Sequence, residues 1–408
     1  MNQSARQLPF LFYYSLTILF VGMGLMPVLP LYAAELGATS STIGIFLSTI
    51  YLTFTLSTLL TGWLSTLLGR RRLFILSAML GFPALYLMGQ VTYFWHVVAL
   101  AGIVWFSGGM CMALINIYTG LYASPESRGK WFGVISLASP LGSIIGGFTV
   151  GTVIERSGYS LMFAVLSILW ILFPIVAIVK LKDATAKAQI IDRGKKLSRL
   201  AVGREHVPLL LLMGAILFSM LTINVGRLSL PLSMNSLEYT AGAVTTANVV
   251  AGMVTLPFAY FLGTLSDRFG RKNILILGYL LAAAGVLILV RADQTWEFWI
   301  SASMILVALT VTGSVASAFA TDLLSPNVLA RVLPWFTAVG SLAGILGYAG
   351  AGYMIETIGI IPLLGLAAML ALIASAFIFP LQCEKQITSI FEAGWTCDIS
   401  MRSTRYRL

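Results

Sequence analysis

The residues of this chain that could do chemistry are few and widely spaced. Inside long apolar runs sit Asn116, with Tyr118 and Thr119 following, then Asn224 and Arg227, Asn248, and the series Thr310, Thr312, Ser314 and Ser317. Polar groups at such depth are costly in hydrocarbon, so those that persist point to a packing partner or to a solute cavity. Amides, hydroxyls and one guanidinium can hold and orient a molecule. They do not supply the acid, base and nucleophile that a reaction needs, which speaks against an integral membrane enzyme. His96 and His206 lie at helix ends, and Cys111, Cys383 and Cys397 show neither a disulfide framework nor metal-ligand spacing, so no metal and no cofactor is expected. Asn116, Asn224, Arg227 and Ser317 are the candidate cavity residues, Asn116 and Ser317 from equivalent positions of an internal repeat. Arg227 falls about five residues before the outer end of its helix, where a stem snorkelling to the interface is preferred over a role in binding an anion.

These residues need long apolar elements to carry them. Of the 408 residues 58% are hydrophobic and only 10% charged, far from a water-soluble composition. The apolar runs reach the roughly 20 residues that a helix needs to cross about 30 Å of hydrocarbon, and exceed the roughly ten of a barrel strand. The fold class is therefore an all-α membrane protein, with twelve transmembrane helices starting near residues 8, 42, 73, 96, 131, 160, 207, 243, 273, 297, 332 and 360. The first stretch, Leu8 to about Leu31, is longer than a signal-peptide core and reads as a retained span. Between the sixth and seventh spans lies a polar segment rich in lysine and arginine, with Ile190, Ile191, Leu197 and Leu200 interleaved. It reads either as a solvated loop or as an interfacial helix. The organisation is thus an N-terminal six-helix bundle over 1–181, a cytoplasmic linker over 182–206, a C-terminal six-helix bundle over 207–381 and a cytoplasmic tail over 382–408.

The formal net charge of +10 is explained by topology. If helices alternate, Arg6, Arg70 to Arg72, Arg128, Lys130, the linker, Arg268, Arg271, Lys272, Arg331 and the late arginines share one face, the pattern of positively charged loops held in the cytoplasm. Both termini are expected in the cytoplasm, with the chain multi-pass in a cell (inner or plasma) membrane. No nucleic-acid partner is implied.

The chain also repeats itself. At an offset of 201 residues Leu29-Pro30-Leu31 falls on Leu230-Pro231-Leu232, Gly69-Arg70 on Gly270-Arg271, Ser124-Pro125 on Ser325-Pro326, and Ile154-Glu155 on Ile355-Glu356. Two parallel repeats of six helices are related by an axis along the membrane normal, and such a body places one solute site between its halves.

The loop after the eighth span reads Gly263-Thr264-Leu265-Ser266-Asp267-Arg268-Phe269-Gly270-Arg271-Lys272. It resembles the loop signature of the major facilitator superfamily. The resemblance implies two pseudo-symmetric six-helix bundles and secondary transport by alternating access. It further implies a monomer in the lipid bilayer, a small-molecule substrate and, at family level, a coupling proton. It implies too that Gly263, Asp267, Arg268, Gly270 and Arg271 form a conformational latch. In the first half the loop keeps Gly62, Gly69, Arg70 and Arg71 but has Thr66 and Leu67 where the family has aspartate and arginine, so the latch is expected between Asp267 and the start of the fifth span, near Arg128 and Lys130. Asp322 reads either as a substrate or proton site or, preferably, as a partner for nearby Arg331.

Ser139 to Gly147 is similar to a glycine and proline motif of exporters in that superfamily. The same stretch also reads as small residues, Ala138, Gly142 and Gly146, that let helices approach closely, as Gly340 and Gly344 would in the eleventh span. The carboxylate in the first span and the arginine in the fourth that proton-coupled drug exporters of this superfamily carry are both missing. Methionines such as Met23, Met26, Met110, Met112 and Met220 suit an amphipathic solute. Export of an amphipathic or drug-like molecule is the favoured function, with import of a nutrient or metabolite as the alternative. A membrane enzyme is more remote, and a channel is disfavoured.

Overall fold

The computed structural model describes residues 7–124, 127–182, 207–323, 326–385 and 395–398. Its helices in the first half are α1 (Leu8–Leu25), α2 (Leu29–Glu35), α3 (Ser40–Leu68), α4 (Arg70–Met88), α5 (Phe94–Tyr122), α6 (Arg128–Ser136) and α7 (Ala138–Lys180). In the second half they are α8 (Val207–Ser236), α9 (Ala241–Phe269), α10 (Arg271–Ile288), α11 (Thr295–Leu323), α12 (Pro326–Ile358) and α13 (Ile360–Ile378). Two short strands, β1 (Gln382–Lys385) and β2 (Trp395–Asp398), pair antiparallel after the last helix. Most of the linker and the rest of the tail lie outside the described residues.

Among the described residues eleven helices are long and apolar enough to cross a membrane. One of them, Lys130–Lys180, is 51 residues long and turns inside α7 at Gly158 (φ 75°, ψ 179°), so it makes two crossings and the spans number twelve. The repeat is visible in the backbone itself. Gly69 (φ 78°) and Gly270 (φ 88°) end α3 and α9, and Gly158 and Gly359 (φ 87°) break the last pair of spans, all in the left-handed region that suits glycine. Thr39 and Thr240 cap α3 and α9 alike, each side chain accepting from the backbone N–H three residues on, Thr42 and Ala243.

One departure from the expected pattern lies in the first span, which breaks over Met26–Val28 instead of running on to Leu31. Pro27 has no N–H to give to the carbonyl four residues back, that of Met23, and Pro30 follows within one turn. The second half has only Pro231 here, and α8 runs through it unbroken.

At the ends that carry the chain termini, basic side chains finish the last helix of each half. Arg71 donates to the carbonyls of Leu181 (2.7 Å) and Ile178 (2.7 Å), and Lys272 donates to that of Phe379 (2.6 Å). Arg71 is equivalent to Lys272 and Ile178 to Phe379, so both halves satisfy orphan helix-end carbonyls in the same way.

Candidate functional site

The halves meet along two crossings related by the repeat, α3 against α12 and α7 against α9. Backbone approach is very close at both. A Cβ on Gly44 would meet the Tyr348 carbonyl oxygen and lie 2.9 Å from the Gly352 Cα, and a Cβ on Gly151 would run into the Thr245 side chain. Gly344 lies under the Tyr51 ring, and Gly147 packs on Val249 and Thr245. The small residues of α7 therefore divide by face. Gly142 and Gly146 serve contact with α1 inside the first half, at Leu19, Phe20 and Gly24, while Gly147 and Gly151 serve the crossing between halves. A Cβ on Gly340 would have open space around it.

Polar contacts between the halves gather at the end opposite the chain termini. Ser48 Oγ donates to the Ile345 carbonyl (2.6 Å), and Ser143 Oγ to that of Asn248 (3.2 Å). Glu356 Oε2 accepts from the backbone N–H of Ser41 (3.0 Å) at the start of α3, and Glu155 Oε1 accepts from Thr240 Oγ1 (2.8 Å) at the start of α9. The two glutamates are the duplicated Ile-Glu pair of the sequence. Each half thus lays a carboxylate on the positive N-terminus of a helix in the other half. Deeper in, Asn248 Nδ2 donates to the Met23 carbonyl (2.9 Å), the acceptor that Pro27 leaves free.

The buried core follows the same division. One continuous cluster joins both halves through residues such as Leu29, Ile43, Ile50, Val150, Val244, Leu230 and Tyr348. The second half has a separate cluster toward the termini, including Leu212, Leu262, Leu275, Val315 and Ile378. Among the described residues, then, the halves are closed at one end and parted at the end bearing the termini.

Between them lies a cavity of two adjoining lobes that share Met23, Met26 and Arg227. The lobe toward the closed end is bounded by Pro27, Leu47, Leu230, Pro231, Asn248 and Tyr348. The other is bounded by Tyr51, Phe54, Trp105, Met112 and Trp170. Arg227 does not snorkel to the interface. Its side chain is half-buried between the halves, and its Nη1 donates across them to the Tyr51 hydroxyl (3.1 Å), whose ring packs on Tyr348 with centroids 5.2 Å apart.

Of the four candidate cavity residues the structure brings Arg227 alone to the lobes. Asn224 is buried, and a Cβ on Gly347 of α12 would lie 3.2 Å from the Asn224 Cβ, which makes it a packing residue within the second half. Asn116 is exposed and lines neither lobe, while Ser317 is half-buried and its hydroxyl donates to the Gly313 carbonyl (3.0 Å). Met23, Met26 and Met112 line the cavity, whereas the Met110 sulfur accepts from Ser77 Oγ (2.9 Å) in the core of the first half. Tyr51, Phe54, Trp170 and Tyr348 are lining residues that sequence reasoning missed. Nothing in the pattern around them sets them apart from other aromatic residues on apolar helices.

In the signature loop Asp267 is exposed and forms an ion pair with Arg271 (3.2 Å), whose Nη1 also donates to the Ala318 carbonyl (2.6 Å). Arg268 lies over the Phe269 ring, 5.9 Å from its centroid. In the first-half loop a Cβ on Gly62 would have open space around it, and Arg70 is half-buried. The expected latch partner Arg128 and the expected pair Asp322 and Arg331 have side chains outside the described residues, and Lys130 is exposed.

Comparison with known proteins agrees with this architecture. An uncharacterized MFS-type transporter of Methanocaldococcus jannaschii is 22% identical over 378 residues, covering 88% of this chain and 93% of its own length. The multidrug resistance protein MdtG of Serratia proteamaculans is 22% identical over 67% of this chain and 68% of its own. The quinolone resistance protein NorA of Staphylococcus aureus is 30% identical over 43% of this chain and 45% of its own. In three dimensions the chain is similar to a peptide transporter POT (TM-score 0.73, 13% identity, 91% of this chain and 94% of that one). It is also similar to a bacterial homologue of the lysosomal transporter Spinster in an inward-facing, unoccupied conformation (TM-score 0.68, 14% identity, 93% and 97%). The family model for the Major Facilitator Superfamily matches residues 10–225 and 212–386, so that both six-helix halves are covered, and this chain belongs to that superfamily.

Proposed function

We propose that this secondary transporter exports an amphipathic small molecule, loading it from the cytoplasm into the cavity at Arg227 and releasing it on the other side after the halves rock. The observation that carries the reading is the cavity itself, an adaptable apolar surface of methionine and aromatic side chains with a single cation at its seam. With both termini in the cytoplasm, the side to which the halves are parted is the loading side of an exporter. MdtG and NorA are named for multidrug and quinolone resistance, which favours a drug-like passenger.

Two gates would alternate. The glutamate contacts of Glu155 and Glu356 hold the far end shut here, and Asp267, now paired within its own half, would engage the first half near Lys130 when the cytoplasmic end closes. Among the described residues no aspartate, glutamate or histidine lines either lobe, so the family's coupling proton is assigned to no residue of the cavity.

Everted membrane vesicles test the direction. With a panel of fluorescent amphipaths we expect energy-dependent accumulation inside everted vesicles that contain the chain, and none in vesicles lacking it. Uptake into right-side-out vesicles would instead establish an importer, and absence of any chain-dependent flux would overturn the proposal.

A further inference from the structure

We infer that the transported solute is an amphipathic monoanion whose acidic group pairs with Arg227 while its apolar body lies along the first half. The inference rests on the reading that the cavity between the halves is the transport site. Among the described residues Arg227 is the only charged one that lines either lobe. Its recorded hydrogen bond goes to a neutral phenol, Tyr51, and no carboxylate stands within ion-pair distance of it among the described residues. A guanidinium is always charged and carries five N–H donors in a planar fork that matches a carboxylate or a phosphoryl group. One of those donors is used within the protein here, and burying such a charge without an anionic partner is strongly unfavourable.

The rest of the cavity narrows the class. Met23, Met26, Phe54, Trp105, Met112 and Trp170 present an apolar wall long enough to take a hydrophobic body, so a small inorganic anion would leave most of the site unused. With no carboxylate on either lobe among the described residues, an amine on the solute would find no counter-charge there, which disfavours cations and zwitterions. The repeat adds polarity to the site. The position equivalent to Arg227 in the first half is Met26, so the anion is held from one half only and the solute binds one way round.

Binding of a matched pair tests this, 4-phenylbutyrate against its uncharged amide at pH 7.5, followed by tryptophan fluorescence of the full chain in nanodiscs. The acid should bind about tenfold more tightly than the amide, the difference that one charge-assisted pair makes. In Arg227→Met the two should bind alike, with an unshifted thermal unfolding midpoint as proof that the chain is folded, and Arg227→Lys should keep part of the preference. Equal affinity for acid and amide in the unmodified chain would remove the anion and leave the cavity reading standing. Binding of neither would remove both. An acid preference that survives in Arg227→Met, or stabilisation by chloride alone with none by phenylbutyrate, would also overturn the inference.

Discussion

In the second half the cavity is faced by Arg227, Asn248 and Tyr348, and at the equivalent places of the first half stand Met26, Leu47 and Gly147. Tyr51 of the first half stands opposite Gly252 in the same sense. The backbone-determining positions behave in the opposite way. Thr39 and Thr240, Gly69 and Gly270, Gly158 and Gly359, and the helix-finishing Arg71 and Lys272 agree in conformation and in partners. The scaffold has kept its two-fold character and the cavity has lost it. On the proposed reading a solute would meet Arg227 and Asn248 on one side and a more apolar wall on the other, and specificity would reside where the repeat is broken.

Exchanging residues between the halves would break this comparison most sharply at Gly44. Its equivalent is Thr245, which packs on Gly151, and Gly44 faces the equivalent glycine, Gly352, but so closely that a Cβ there would lie 2.9 Å from its Cα and meet the Tyr348 carbonyl. Gly44→Thr should cost about 2 kcal/mol or more in overpacking and part the far end of the halves. Thermal unfolding in detergent would read the loss. A melting temperature within a degree of the unmodified chain would show that the two crossings are interchangeable.

A smaller effect is expected from the helix-finishing pair. Arg71→Ala removes two hydrogen bonds from a cation to helix-end carbonyls and Lys272→Ala removes one, so the first should cost about 2 kcal/mol and the second about 1. Equal costs would mean that the halves do not depend on these contacts in proportion to their number.

The smallest change in stability belongs to Asp267→Asn, since an exposed pair four residues apart on the helical surface contributes about 0.5 kcal/mol at most. Its effect on conformation should still be measurable. Cysteine labelling at the cytoplasmic mouth should increase if Asp267 is the latch, and unchanged labelling would remove the latch from the proposal. Thr66→Asp in the first half, restoring the signature residue that this loop lacks, should shift labelling the other way.

Much of the fold was legible because hydrocarbon imposes a length on every span and the repeat places each landmark twice. The twelve spans and the pairing of Pro30 with Pro231 follow from those two constraints. The break after Leu25 was harder to read, since it depends on two prolines, Pro27 and Pro30, acting within one turn. The cavity was legible in part. Its methionines could be named from composition, but helical periodicity in a membrane does not separate a residue that faces lipid from one that faces a partner helix. Tyr51 and Tyr348 were lost for that reason, and Asn116 was placed at the cavity on its polarity and its equivalence to Ser317 in the repeat. Arg227 was rightly among the cavity candidates, but snorkelling was preferred for it because distance along the helix from the interface was weighed, while the direction of the side chain, set by α3 and α12 packing beside it, does not show in the sequence.

Pro27 has a consequence for how the protein opens. The Met23 carbonyl that it strands accepts, among the described residues, from Asn248 on the opposite side of the seam. Once α9 swings away from α1, that oxygen faces the void alone, and in a setting so poor in water an unmet acceptor is expensive. Opening at that depth must then deliver a replacement donor, either a water molecule entering with the motion or an N–H or O–H on the passenger itself. A passenger that brings its own would ease the swing that releases it.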